Sequence, residues 1–412
     1  MKKLLLGMTA VLLAGLLWLL EPVYQFYAHR GMAPLPPTGW QQINGTVPES
    51  QQLFDPDFAA RGQRALDAIR DYRQEHNLPA LSVAVARGDG LVWTGTVGFA
   101  DIAAGTPMAP DTLFRIGSTS KAITATALAR LVERGEIDLD APLSTYLSPL
   151  PNPAWGAITP RQLASHAAGV PHYGENGDTV GLYRSIAMQR HYNDVRDALA
   201  VFDGSPLLHP PGTAFHYSSL GTVLLGATMS EVAGLPYRDL VTREVLEPAG
   251  MSSTFADGDE DERNQRVTQL YYTDGERFRP WREVDLSHRL PGGGFISSPS
   301  DLARMGLKYF DPDYLAPATR DRFWTPQRLA DGRVNEQDYA LGWRWREWDI
   351  DGVGVVRNAN HGGVARGSQC WLLVLPDQVM SMAFCTNVKT DSFSTFGGVY
   401  KPLVLAFMSP AA

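Results

Sequence analysis

An uncharged stretch at residues 4–20, preceded by Lys2 and Lys3 and followed by Glu21 and Pro22, is the first pattern along the chain. As a helix it reaches roughly 25 Å at about 1.5 Å per residue, the short end of what spans a bilayer. The two lysines orient its start toward the cytoplasm. Residues 1–20 therefore read as an uncleaved signal-anchor helix, because Phe26 precedes Ala28 where signal cleavage wants a small residue. The alternative is a secreted protein after cleavage, and either way the body lies outside the cytoplasm, on the periplasmic or extracellular side. Residues 21–54 hold Pro34, Pro36 and Pro37 with no helical periodicity and read as a linker.

Apolar spacing then predicts an amphipathic helix over 55–77, with Asp55 as cap and Pro56 in the first turn. Strands follow at 81–85 and 91–97, joined through Arg87-Gly88-Asp89-Gly90. A helix over 118–134 ends at Gly135, which suits the left-handed position after a terminus. From about 138 to 300 the pattern is helical segments between long Pro/Gly-punctuated loops. Strands return at 339–345, 353–357, 368–375 and 379–386, before an apolar helix over 393–407. Strands at both ends with helices between them predict an α+β domain over 55–410. Its antiparallel sheet is assembled from both chain ends, with flanking helices and an inserted helix-rich lobe.

Composition changes this picture little: 44% hydrophobic and 19% charged residues is a globular balance. The formal charge of -8 includes no basic stripe, so nucleic acid is not an expected partner. The expected partners are a small-molecule or peptide substrate and, through the first helix, a membrane.

Candidate chemistry starts at Gly117-Ser118-Thr119-Ser120-Lys121. Ser118 and Lys121 are three residues apart at a helix start and share a face. A serine hydroxyl becomes a useful nucleophile when a neighbour takes its proton, and an amine can do so only when burial leaves it neutral. Residues 122–129 carry no charge, which supplies that burial. The chain has six lysines against thirty arginines, and Lys121 lies inside this uncharged helical run. Arginine would stay protonated there. The bland reading is a helix-capping serine beside a snorkelling lysine.

Two further elements follow: Tyr217-Ser218-Ser219 leading into an apolar helix over 222–232, and His361-Gly362-Gly363. Each alone reads as a cap, a packed aromatic or a turn. Together with the pentad, in this order, they resemble the three signatures of the serine β-lactamase and penicillin-binding-protein superfamily. The resemblance covers residues 58–408. It includes the stretches around His166, His172, Gly292 to Gly294 and Tyr339 to Trp343, and it is similar to the branch of class C β-lactamases, D-aminopeptidases and lactamase-fold esterases.

That resemblance implies a β-lactamase/transpeptidase-like fold and an acyl-enzyme on Ser118, with Lys121 and Tyr217 moving the proton and no cofactor. It implies substrate-binding roles for Ser219, His361, Gly362 and Gly363, and an oxyanion hole from the backbone N–H groups of Ser118 and Val364. Ser219 stands where the family usually has Asn, and His361 where it often has Lys. Both shift the expected chemistry from β-lactams toward peptides and esters, as in the subgroup containing the mitochondrial lactamase-like serine protease. D-alanyl carboxypeptidase activity ranks between them. The alternative from another class is a membrane-tethered, non-catalytic binding or scaffold protein of the same fold.

Cys370 and Cys385 flank Pro376-Asp377-Gln378. With a two-residue loop at 377–378 they fall opposite one another, so a disulfide fits, as do two buried thiols. His166 and His172 have no common zinc spacing and no metal is expected. Loops over 173–193 and 257–290 are expected to shape the pocket.

Overall fold

The computed structural model describes residues 2–28, 30–259, 261–390 and 392–408. The expected domain end at 410 and residue 1 of the expected anchor lie outside them. Its centre is one antiparallel sheet. The N-terminal part supplies β1 (Glu49–Leu53), β2 (Ala80–Arg87) and β3 (Gly90–Asp101). The C-terminal part supplies β4 (Arg344–Ile350), β5 (Gly354–Ala365), β6 (Ser368–Leu375) and β7 (Met380–Thr386). Along the sheet the order is β1-β3-β2-β7-β6-β5-β4, so the two chain ends meet where β2 pairs with β7.

Both faces of β2 are covered. Ala84 and Ala86 pack toward the helical lobe, while Leu81, Val83 and Val85 pack into the opposite cluster. This alternation is the period of two that a strand imposes. The helices that frame the sheet and the site include α1 (Lys2–Ala28), α2 (Ala59–Glu75), α3 (Ser120–Glu133), α4 (Ser219–Ala233), α5 (Pro299–Lys308) and α6 (Tyr400–Met408). α2 and α6 cover one face of the sheet, and Gly306 of α5 lets that helix close on Ser381 of the other. Asp55 caps a short turn, Pro56–Phe58, that leads into α2. The inserted lobe also holds a hairpin, Tyr271–Asp274 with Arg277–Pro280, and its Phe295–Ser297 and Phe255–Ala256 form a small sheet with Phe114–Arg115, which precedes the lobe in the chain. These strands are too short to carry a readable alternation.

Several boundaries differ from the sequence expectations. α1 passes through Pro22 to Ala28 and meets the helix Thr179–Ala187, where the Tyr183 hydroxyl donates to Leu19 O at 3.2 Å. The expected linker over 21–54 therefore begins as helix and ends as β1, whose Glu-Ser-Gln-Gln-Leu is exposed throughout and offers no apolar alternation. The expected strand over 339–345 is a turn up to Trp343. Gly342, at φ 75°, presses it on Ala125 of α3, where a Cβ would lie 2.5 Å away. β5 runs eight residues beyond the expected 357, through His361-Gly362-Gly363. The last apolar helix is two, Phe393–Gly397 and α6.

Candidate active site

Gly117, at φ 53°, turns the chain from Arg115 into a tight turn, Gly117–Thr119, which continues as α3. Ser118 is the partly exposed residue of that turn; Gly117 and Thr119 are buried. β5 runs directly against it. A Cβ on Gly117 would lie 2.8 Å from Val364 N, and one on Gly363 would lie 2.7 Å from Ser118 N. Only residues without a Cβ allow this approach, and it brings the backbones of Ser118 and Val364 side by side.

One turn into α3, Lys121 is 1% exposed. Its Nζ makes three contacts: Ser118 Oγ at 3.2 Å, Ser219 Oγ at 2.8 Å and Gly292 O at 2.6 Å. None is a carboxylate. Burial pushes the amine well below the usual lysine range, and the nearby Arg344 and Arg289 guanidinium groups push it further. A neutral amine has two N–H donors and one lone pair. The Gly292 carbonyl can only accept, and Ser219 can take the second N–H, which leaves the lone pair for the Ser118 O–H.

Ser218 caps α4, its hydroxyl accepting from Gly221 N at 2.8 Å and donating to Pro171 O at 2.8 Å. The preceding residue, Tyr217, lies with its ring 4.9 Å below Lys121 Nζ and 4.3 Å from the His166 ring. Burial raises its phenol, while Arg344 and hydrogen bonds with Ser118 and Ser219 draw it back down. Its hydroxyl thus stands between the two serines. His166 and His172 hold this corner from behind: their Nδ1 atoms accept the N–H groups of Ser218 at 3.3 Å and Ser219 at 3.1 Å. Burial lowers both rings, His172 to about 3 with Lys121 adding to the effect, so both are neutral acceptors.

His361 does not stand where the sequence reading puts it. Its ring is fully buried and points away from the open space, donating from Nδ1 to Gly362 O at 2.9 Å and accepting at Nε2 from the Tyr339 hydroxyl at 2.8 Å. Strand alternation is the reason, since Asn360, Gly362 and Val364 share the other face. Burial, Arg344 and Lys121 keep the imidazole uncharged. It supports the strand and Tyr339, and no charge is offered to a substrate from this position.

Two cavities meet at Ser118 and Val364. The larger, about 720 Å³, is lined by Tyr217, Arg344, Trp348, Asn360 and Trp371. The smaller, about 320 Å³, is lined by Ser219, Tyr173, Arg289, Arg366 and, from the first helix and the turn after it, Phe26 and Arg30. The expected loops contribute Tyr173, Trp281, Leu286 and Arg289 to the smaller cavity alone. Sequence reasoning missed the larger cavity's wall, because Arg344, Trp348 and Trp371 look like ordinary strand residues until the sheet places them together. Tyr339 and the two histidines were within reach, since the stretches containing them form part of the family pattern.

Cys370 and Cys385 are opposite each other across β6 and β7 and joined as a disulfide. The loop between the strands is four residues, with Val379 at φ 48°, rather than two. Adding a residue at each end keeps the pairing sum unchanged and therefore the same partners.

The family model described as Beta-lactamase matches residues 66–399. The mitochondrial serine beta-lactamase-like protein LACTB of Mus musculus is 27% identical, with 87% of this chain and 83% of that protein covered. Esterase EstB of Burkholderia gladioli is 34% identical over 48% of this chain and 52% of its own length. Among solved structures, the D-amino acid amidase of Ochrobactrum anthropi SV3 superposes with a TM-score of 0.69 at 20% identity, covering 84% of this chain and 98% of that one.

Proposed function

The chain belongs to the beta-lactamase family, and from that premise we propose that it is a serine hydrolase cleaving esters or peptide-type amides through an acyl-enzyme on Ser118. The observation that carries this is the Lys121 amine, stripped of any carboxylate partner and 3.2 Å from Ser118 Oγ. Ser118 Oγ attacks the substrate carbonyl as its proton passes to Lys121. The oxyanion forms against the N–H groups of Ser118 and Val364. Tyr217, whose hydroxyl stands between Ser118 and Ser219, returns the proton to the leaving group, and water then releases the acyl group by the same relay in reverse.

Esters and peptide amides rank above D-alanyl peptides, and these above β-lactams. Ser219 supports this order: its hydroxyl is engaged by Lys121 at 2.8 Å, and it lacks the paired donor and acceptor of an amide that would hold a lactam side chain. The partial 34% identity to an esterase agrees. We also propose that α1, long and apolar enough to cross a membrane, anchors the catalytic body on the outer side.

The test compares release of p-nitrophenol from short acyl esters, of amine from amino-acid amides, and opening of nitrocefin, in wild type and Ser118→Ala. Ester or amide turnover that Ser118→Ala abolishes, well above nitrocefin turnover, is the expected result. Equal turnover by the variant rejects the reading, and preferred nitrocefin turnover reverses the ranking.

A further inference from the structure

Although the chain carries a net charge of -8, the smaller cavity beside Ser118 is walled by cations. Arg289 is 9% exposed and bonds Ser185 O at 2.5 Å through Nη2 and His288 Nε2 at 2.9 Å through Nε. Its Nη1 has no hydrogen-bond partner among the described residues, and its guanidinium lies 4.0 Å from the Tyr173 ring centroid, which itself lines the cavity. Arg366 and Arg30 both stack on Phe26, at 5.8 Å and 4.1 Å.

Among the described residues no carboxylate forms an ion pair with Arg30, Arg282, Arg289 or Arg366. The nearest acidic influences are already occupied. Asp257, which Arg289 feels, is bound by Arg115 at 2.6 Å, and Glu21, which Arg282 feels, is hydrogen-bonded to Gln25. Burial and the mutual repulsion of Arg289, Arg282 and Arg30 lower the Arg366 guanidinium to about 9. Arg289 is buried, Arg282 and Arg366 are half-buried and Arg30 is exposed. Like charges gathered this way without a carboxylate favour an anion that joins them, and guanidinium forks match carboxylate and phosphate oxygens.

We propose that the cavity bounded by Arg30, Arg289 and Arg366 receives an anionic group, a carboxylate or a phosphate, belonging to the molecule whose carbonyl Ser118 attacks. This rests on the hydrolase reading for its link to turnover. Ser118 and Val364 line this cavity and the larger one alike, so a substrate laid across them has its carbonyl at Ser118 and one end among the arginines. Phe26, at the base of α1, makes the first helix part of the same wall.

Calorimetric titration of Ser118→Ala protein with the p-nitrophenyl monoester of glutaric acid, its methyl-capped neutral counterpart and the p-nitrophenyl ester of 4-phosphonobutyric acid tests the proposal directly. At least one anion is expected to bind roughly tenfold tighter than the neutral compound. Which anion wins separates a carboxylate, as on a peptide or small acid, from a phosphate, as on a lipid headgroup. Arg366→Gln and Arg30→Gln, each added to Ser118→Ala, should bring the ratio of anionic to neutral affinity close to one. The neutral compound serves as the folding reference, since a misfolded variant loses both. Equal affinity for charged and neutral compounds, or a preference that survives both substitutions, overturns the proposal. Absence of Ser118-dependent turnover of all three by wild type would instead count against the hydrolase reading and leave the binding preference intact.

Discussion

Gly363 of β5 and Ser118 approach so closely that a Cβ on the glycine would lie 2.7 Å from the serine nitrogen and 2.0 Å from Ile116 O. Those neighbours are backbone, with no flexible side chain to move aside. Gly363→Ala should therefore push the strand off the Ser118 turn, costing about 1–3 kcal/mol as overpacking does. The midpoint of urea unfolding should fall, and reaction of Ser118 with a fluorophosphonate should slow far more than the stability loss alone explains. A variant as stable and as reactive as wild type would mean that the two backbones need not meet.

The Lys121 amine predicts the pH profile. Burial and the two arginines hold its folded-state pKa well below 10.5, so the unprotonated base is populated at a lower pH than for an ordinary lysine. Lowering the pH protonates it and removes the base, so kcat/KM should fall on the acid side and reach its plateau well below about pH 10. A rate that keeps climbing toward pH 10 would place an ordinary lysine there. Lys121→Arg, permanently charged, should lower kcat/KM by about 10²–10⁴.

Tyr217→Phe keeps the ring that packs on His166 and removes the hydroxyl that stands between Ser118 and Ser219. Activity should drop by about 10²–10⁴ with a thermal midpoint close to wild type. A large fall in the midpoint with little change in kcat/KM would make the residue a packing element.

Much of the site could be read from the chain because its chemistry is local. Ser118 and Lys121 are one turn apart, and the uncharged run after them announces the burial that neutralises the amine. Strand alternation was harder: His361 and Gly362 are adjacent in sequence, yet one faces Tyr339 and the other the cavity, and that parity depends on where β5 begins. The cationic cavity was beyond sequence reasoning, since Arg30, Arg289 and Arg366 meet only through the fold and each alone is an ordinary arginine. β1 was missed for a different reason, being a wholly exposed polar edge strand with no buried face to impose a pattern.

The disulfide between Cys370 and Cys385 ties β6 to β7 one strand away from β5. With a sequence separation of 15, it should contribute about 3 kcal/mol. Denatured, unreduced protein should show no reactive thiol, because these are the chain's two cysteines. Reduction should lower the urea midpoint. Two thiols titrating without reductant would contradict the bond.

If Ser118 is the nucleophile, a covalent probe should mark it and no other residue. Native protein treated with a fluorophosphonate, digested and analysed by mass spectrometry should carry one adduct per chain, on the peptide containing Ser118. Ser118→Ala and heat-denatured protein should carry none. No adduct on the native protein, or one that persists at another residue in Ser118→Ala, would contradict the account.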